Sequence, residues 1–204
     1  MSFSASTATA NSSVLGLPGI PTGYQVNVQP NNSQTIYTNA FALNGILDIS
    51  TSEVSFGCFL SKVDNDLNTA LFTLPSEASV VAGNLWVATE GLVPDTLNID
   101  TVQGDVDGLP EFFADGVMMN FIPFPEDGTI MNSWVYLAAD AVPSINNPLY
   151  VRTDGTLTID ATDASIASAA YSVGYILQQT LGTVTDAGFY QLQIVIKPQY
   201  ILQP

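Results

Sequence analysis

Hydrophobic and polar positions alternate over short stretches of this chain. In GFYQLQIVIKP, Tyr190, Leu192, Ile194 and Ile196 point one way and Gln191, Gln193 and Lys197 the other, the period-two pattern of a strand with one buried face. TLTID repeats the pattern with Leu157 and Ile159. TIYTNAFAL, EVSFGCFL, NLWVATE, SWVYLAA and PLYVR are short apolar or alternating runs bounded by Asn, Asp, Gly, Pro or Ser, and they also read as strands. Between PLYVR and TLTID lies Thr153-Asp154-Gly155, a connection suited to a hairpin with a bulge, so Arg152 ends the first strand of that hairpin. In ASIASAAYSVGYILQQ, Ile166, Ala169, Ala170, Val173 and Leu177 fit helical spacing, whereas Tyr171, Val173, Tyr175 and Leu177 fit alternation. Gly174 and the β-formers Tyr, Val and Ile favour a strand from about Tyr171, after a helical turn. Many short strands, few helices and frequent Gly or Pro turns predict an all-β fold, an antiparallel barrel or sandwich. No internal repeat is visible in the sequence.

Two regions depart from this pattern. SFSASTATANSS is a small polar tract, and LGLPGIPTGY then alternates apolar residues with Gly and Pro. Pro18, Pro21 and Pro30 resist helix, and Gly16, Gly19 and Gly23 resist regular strand. Val14, Leu15, Leu17, Ile20 and Tyr24 are too apolar for a tail kept in water, so residues 1–34 are expected to be an extended docking arm and residues 35–204 a β-rich core. The second region, VPDTLNIDTVQGDVDGLPEFFADG, is acidic and turn-rich and is expected to be a long loop or an insertion with a short helix.

Charge narrows the possible partners. Nineteen acidic residues face only Lys62, Arg152 and Lys197, giving a formal charge of -16. Binding a nucleic acid requires many cations to neutralise phosphates, and an anionic membrane surface makes the same demand, so neither is an expected partner. Hydrophobic residues make up 47% of the chain and charged ones 11%, which points to a folded protein solvated mainly by neutral polar groups. The N-terminus has no positive region followed by a long apolar core, so no signal peptide is expected, and no run approaches the length of a membrane span.

Candidate chemistry is sparse. Without His, the usual triads and most proton shuttles are excluded. Cys58, inside VSFGCFL, has no second Cys or His to share a metal or act as base, and is expected to be a small buried hydrophobe. No GxGxxG or phosphate-loop motif occurs. Paired acids from Asp95, Asp100, Asp105, Asp107 and Glu111 could in principle hydrolyse a glycoside, but any acidic loop supplies such pairs. Trp86 and Trp134 lie in apolar strands, where core packing is the default use. GDVDGLPE offers Asp105, Asp107 and Glu111 to calcium but lacks the DxDxDG spacing of a calcium loop. The expectation is a non-enzymatic protein without cofactor or metal, with a carbohydrate-binding or glycan-cleaving β domain as the alternative. Arg152 has two readings: a strand-end pair with Asp154 or Asp160, or an anchor at an interface.

The C-terminal third, NNPLYVRTDGTLTIDATD…SAAYSVGYILQQ…DAGFYQLQIVIKPQ, resembles the structural cement, or head decoration, proteins of tailed bacteriophages. Tyr150-Val151-Arg152 stand at the family's "VYVR"-like strand, followed by the turn-rich segment from Gly155 to Asp163. Ala169 to Leu177 form the small-residue approach to a strand, and Gly188 to Ile196 the final alternating strand. The Gly- and Pro-rich arm also suits the family. The resemblance implies a homotrimer on the outer capsid surface of a virion, assembled in the host cytoplasm and bound to the major capsid protein at junctions between its subunits. Binding would fall to Val14, Leu15, Leu17, Ile20 and Tyr24 of the arm and to Arg152. A tail or fibre subunit is the neighbouring alternative.

Overall fold

The structure is a computed structural model that describes residues 27–28, 34–35, 43–63, 70–89, 112–177 and 183–201. The arm residues Val14, Leu15, Leu17, Ile20 and Tyr24, and the acids Asp95, Asp100, Asp105, Asp107 and Glu111, lie outside the described residues. Two short strands, β1 (Asn27–Val28) and β2 (Gln34–Thr35), pair antiparallel.

The remaining strands form two closed barrels. The first contains β3 (Leu43–Leu47), β4 (Phe59–Val63), β5 (Ala70–Thr73), β6 (Trp86–Thr89) and β7 (Met118–Pro123), in the ring order β3-β5-β4-β6-β7. The second contains β8 (Ile130–Leu137), β9 (Pro148–Val151), β10 (Leu157–Thr158), β11 (Tyr171–Ile176) and β12 (Gly188–Tyr200), in the ring order β10-β8-β12-β11-β9. The all-β expectation therefore resolves to barrels, and closure removes the exposed sheet edges that invite unwanted pairing. Each ring also contains one parallel pair, β3 with β5 and β8 with β10, which an antiparallel reading leaves out.

The expected strand starting near Tyr171 is β11, and the alternation of GFYQLQIVIKP is β12, with Tyr190, Leu192, Ile194 and Ile196 all buried. Elsewhere the strands differ from the sequence reading. EVSFGCFL is not continuous: Gly57 adopts a positive φ of 84°, Val54 makes only an isolated bridge to Phe113, and the strand begins at Phe59. ALFT and MMNFIP, which carry no clear alternation, are β5 and β7. One short helix, α1 (Glu77–Val81), follows β5. Ser76 caps it by accepting from the Ser79 backbone N–H at 3.3 Å, while the Ser76 N–H donates to the Ser79 hydroxyl at 2.9 Å.

The barrels are packed together. One hydrophobic cluster fills the first barrel, including Leu47, Leu60, Phe72 and Phe121. The other fills the second barrel and extends to Phe59, Val80, Leu85, Val87 and Ile122 of the first. Phe59 and Val87 alternate with the interior residues Leu60 and Ala88, so β4 and β6 bury both faces at the seam. A strand buried on both sides reads as an unbroken apolar run, which is how FGCFL and LWVA look in the sequence. Polar contacts fix the same seam. The Phe59 N–H donates to the Gly155 carbonyl at 2.7 Å, the Ser133 hydroxyl to the Gly57 carbonyl at 2.8 Å, and the Trp134 indole Nε1–H to the Phe56 carbonyl at 3.0 Å.

Candidate functional site

At the corner after β9, Arg152 forms ion pairs with Asp154 and Asp163. Arg152 carries the chain from that strand into the turn Thr153-Asp154-Gly155, and β9 then pairs antiparallel with β10. Its backbone makes an isolated bridge to Ile166, its N–H donates to the Thr156 carbonyl at 2.8 Å, and its carbonyl accepts from the Gly155 N–H at 3.0 Å. Gly155 sits at φ 84°, and a Cβ there would lie 2.7 Å from the Phe59 carbonyl oxygen. Only glycine meets both requirements, so one residue closes the turn and seats it against the first barrel.

The Arg152 side chain points into this corner and is only 7% exposed. Nη1 donates to Asp154 Oδ2 at 2.8 Å and to Thr156 Oγ1 at 3.2 Å, and Nε lies 3.1 Å from Asp163 Oδ2. The guanidinium carbon lies 4.4 Å from the centre of the Tyr136 ring and 5.5 Å from that of Phe189. The two carboxylates are tied in turn: Asp154 Oδ1 accepts from the Thr156 N–H and hydroxyl, and Asp163 Oδ1 from the Ser165 N–H. A buried charge requires this degree of pairing, because an unmatched guanidinium would lose its hydration without compensation.

Arg152 therefore pairs with Asp154 and Asp163. Asp160, the other carboxylate suggested by the sequence, instead accepts from the Thr162 hydroxyl and N–H, which lowers its pKa from the ordinary carboxylate value. The second acid escapes a sequence reading because Asp163 lies eleven residues from Arg152 and is returned to it by the bridge at Ile166. With its side chain 7% exposed, the guanidinium presents little surface to another molecule, and its Nε faces Asp163 Oδ2 as an ion pair without a hydrogen bond. Its position explains why one of three basic residues is spent here: it fastens the loop between β10 and β11 to the end of β9.

The other candidate residues also serve packing. Cys58 is fully buried, and desolvation pushes its thiol up to about 12, far from a reactive thiolate. Trp86 meets Phe72 edge-on with ring centres 5.6 Å apart, and the Lys62 ammonium lies 5.9 Å from the Trp86 ring. Trp134 packs on the first barrel's core while donating to Phe56. Among the described residues, no group of three acids or thiols could hold a metal ion, and no helix is long and apolar enough to cross a membrane.

No protein-family model matches the chain, and no curated protein does. Among solved structures, it is similar to the head fiber gp8.5 N base of bacteriophage phi29, at 12% sequence identity and a TM-score of 0.36, over 76% of this chain and 92% of that one. A TM-score of that size carries no assignment of function.

Proposed function

We propose that this chain is a non-enzymatic structural protein of a virus particle, one that binds the outside of the capsid shell and stabilises junctions between major capsid proteins. The observation that supports this reading is where the cement-like segments fall. Tyr150 and Val151 lie on β9, Ala169 to Leu177 span β11, and Gly188 to Ile196 lie on β12. These strands are consecutive neighbours in one ring, β9-β11-β12, so the resemblance covers a single packed unit rather than scattered fragments.

In this reading the barrels are a rigid body and the arm supplies adhesion. Val14, Leu15, Leu17, Ile20 and Tyr24 would bury apolar surface on the shell, and the arm backbone would hydrogen-bond to exposed strand edges there. Association as a homotrimer would raise modest single contacts to a durable attachment by avidity. The net charge of -16 would keep the protein from adhering to the genome during assembly in the host cytoplasm.

The test is decoration of empty shells, assembled from the major capsid protein of the same virus, by the full chain and by a chain lacking residues 1–34. The full chain should saturate the shells, and the shortened chain should stay folded by circular dichroism and fail to bind. Full decoration by the shortened chain would remove the arm from the proposal, and failure of the full chain to bind would remove the capsid role.

A further inference from the structure

The two barrels follow the same path. Matched in chain order, β3 to β7 correspond to β8 to β12, and both rings run first-third-second-fourth-fifth strand before closing. In both, the first and third strands are parallel and every other neighbouring pair is antiparallel.

Register is also shared. In the parallel pair, Leu47 lies opposite Phe72 as Val135 lies opposite Leu157, which equates Leu47 with Val135 and Phe72 with Leu157. Along the first strand, Leu43 then matches Met131, and their partners Phe121 and Ile194 match on the fifth. Those residues face Ala88 and Ile176 on the fourth strand. Two residues back, Trp86 and Gly174 face Leu60 and Leu149 on the second. The next residues, Ser61 and Tyr150, face Thr73 and Thr158. Thr73 and Thr158 directly follow Phe72 and Leu157, where the circuit began. It closes without a slip of one residue, so both barrels have the same stagger as well as the same order.

The cores correspond as well. All six strand residues of the first barrel's cluster, Leu47, Leu60, Phe72, Ala88, Met119 and Phe121, fall on members of the second barrel's cluster. Alternation keeps inward positions inward in both barrels, while the residues that fill them differ in size. The cross-strand pair Ala88–Phe121 joins a small residue to a large one, and Ile176–Ile194 fills the same place with two of middle size. A trace survives outside the strands: Glu77-Ala78-Ser79-Val80 and Asp163-Ala164-Ser165-Ile166 both stand between the third and fourth strands.

We infer that the chain is a tandem duplication of one five-stranded barrel, in which Ala88–Phe121 and Ile176–Ile194 are two solutions of the same core pair. The sequences have diverged beyond visible repetition because closure constrains which positions face inward, not which residues fill them.

The test uses the full-length protein and its thermal unfolding. A88I should overpack the first barrel and F121I should leave it underfilled, each lowering the midpoint by about 5 °C or more. A88I/F121I should lose less than the worse single substitution. The reciprocal pair, I176A/I194F, should show the same rescue in the second barrel. Rescue in either barrel supports the shared core pair, and losses that simply add in both, or double variants that fail to fold, overturn it. Cross-strand backbone contacts measured by NMR give an independent reading. They should pair Leu43 with Phe121 and Met131 with Ile194, and a slip at either pair overturns the duplication.

Discussion

The two barrels follow one path but are held together by different chemistry. The first is centred on aromatic packing: Phe72 stacks on Phe121 with ring centres 3.7 Å apart and meets Trp86 edge-on. The second has Leu157, Ile194 and Gly174 at the corresponding positions and places its specificity at a corner, where Arg152 joins Asp154, Asp163 and two rings. A five-stranded ring thus prescribes strand order, stagger and a volume to be filled. It leaves open whether uniqueness comes from shape in the core or from charge pairing at the rim.

That contrast predicts unequal sensitivities. The largest effect should follow Arg152→Ala, which leaves two mostly buried carboxylates without their cation. The expected cost is about 3–5 kcal/mol, read as a large fall in the urea midpoint. Arg152→Lys should recover only part of it, because an ammonium cannot match the fork or stack on Tyr136 and Phe189. A near-neutral Arg152→Ala would mean that the second barrel, like the first, is specified by its core.

Next in size is Gly155→Ala. The positive φ and the close Phe59 carbonyl should together cost about 2–3 kcal/mol, with faster hydrogen exchange at the Phe59 N–H if the seam opens with the turn. Alkaline pH addresses the interiors of both barrels more gently. Burial raises the Cys58 thiol from 9.0 to about 12, and burial also raises Tyr150 and Tyr171 above their ordinary 10.0. Folded values above unfolded ones mean that this stability is complete below about pH 9 and is lost as pH climbs toward 12. Cys58→Ala should flatten the decline that begins near pH 9 and leave the part due to the tyrosines, which begins near pH 10, as seen in unfolding midpoints measured from below 9 to above 10. Smallest of all, Ser76→Ala should cost about 1 kcal/mol by removing the cap of α1, a helix whose matching segment in the second barrel, Asp163 to Ile166, is not helical.

How much of this was legible in the sequence also differs between the barrels. β12 announced itself because one of its faces is buried and the other is partly solvated, so alternation survived in the letters. β4 and β6 were blurred because the seam buries both of their faces, and β5 and β7 carry no clear alternation and each take β3, well upstream in the chain, as a second partner. The parallel pairs and the duplication were invisible for the same reason: strand order and register belong to pairing between distant segments, and no local pattern encodes them. At the Arg152 corner, Asp154 was legible from its place in the turn. Asp163 was not, since only the folded loop brings it within 3.1 Å.

The capsid role is the central claim, and its most direct test is quantitative mass spectrometry of density-purified virus particles from cells that produce this protein. The account predicts a copy number comparable to that of the major capsid protein. A few copies per particle would move the chain to a tail or fibre, and absence from the particles would contradict a virion role altogether.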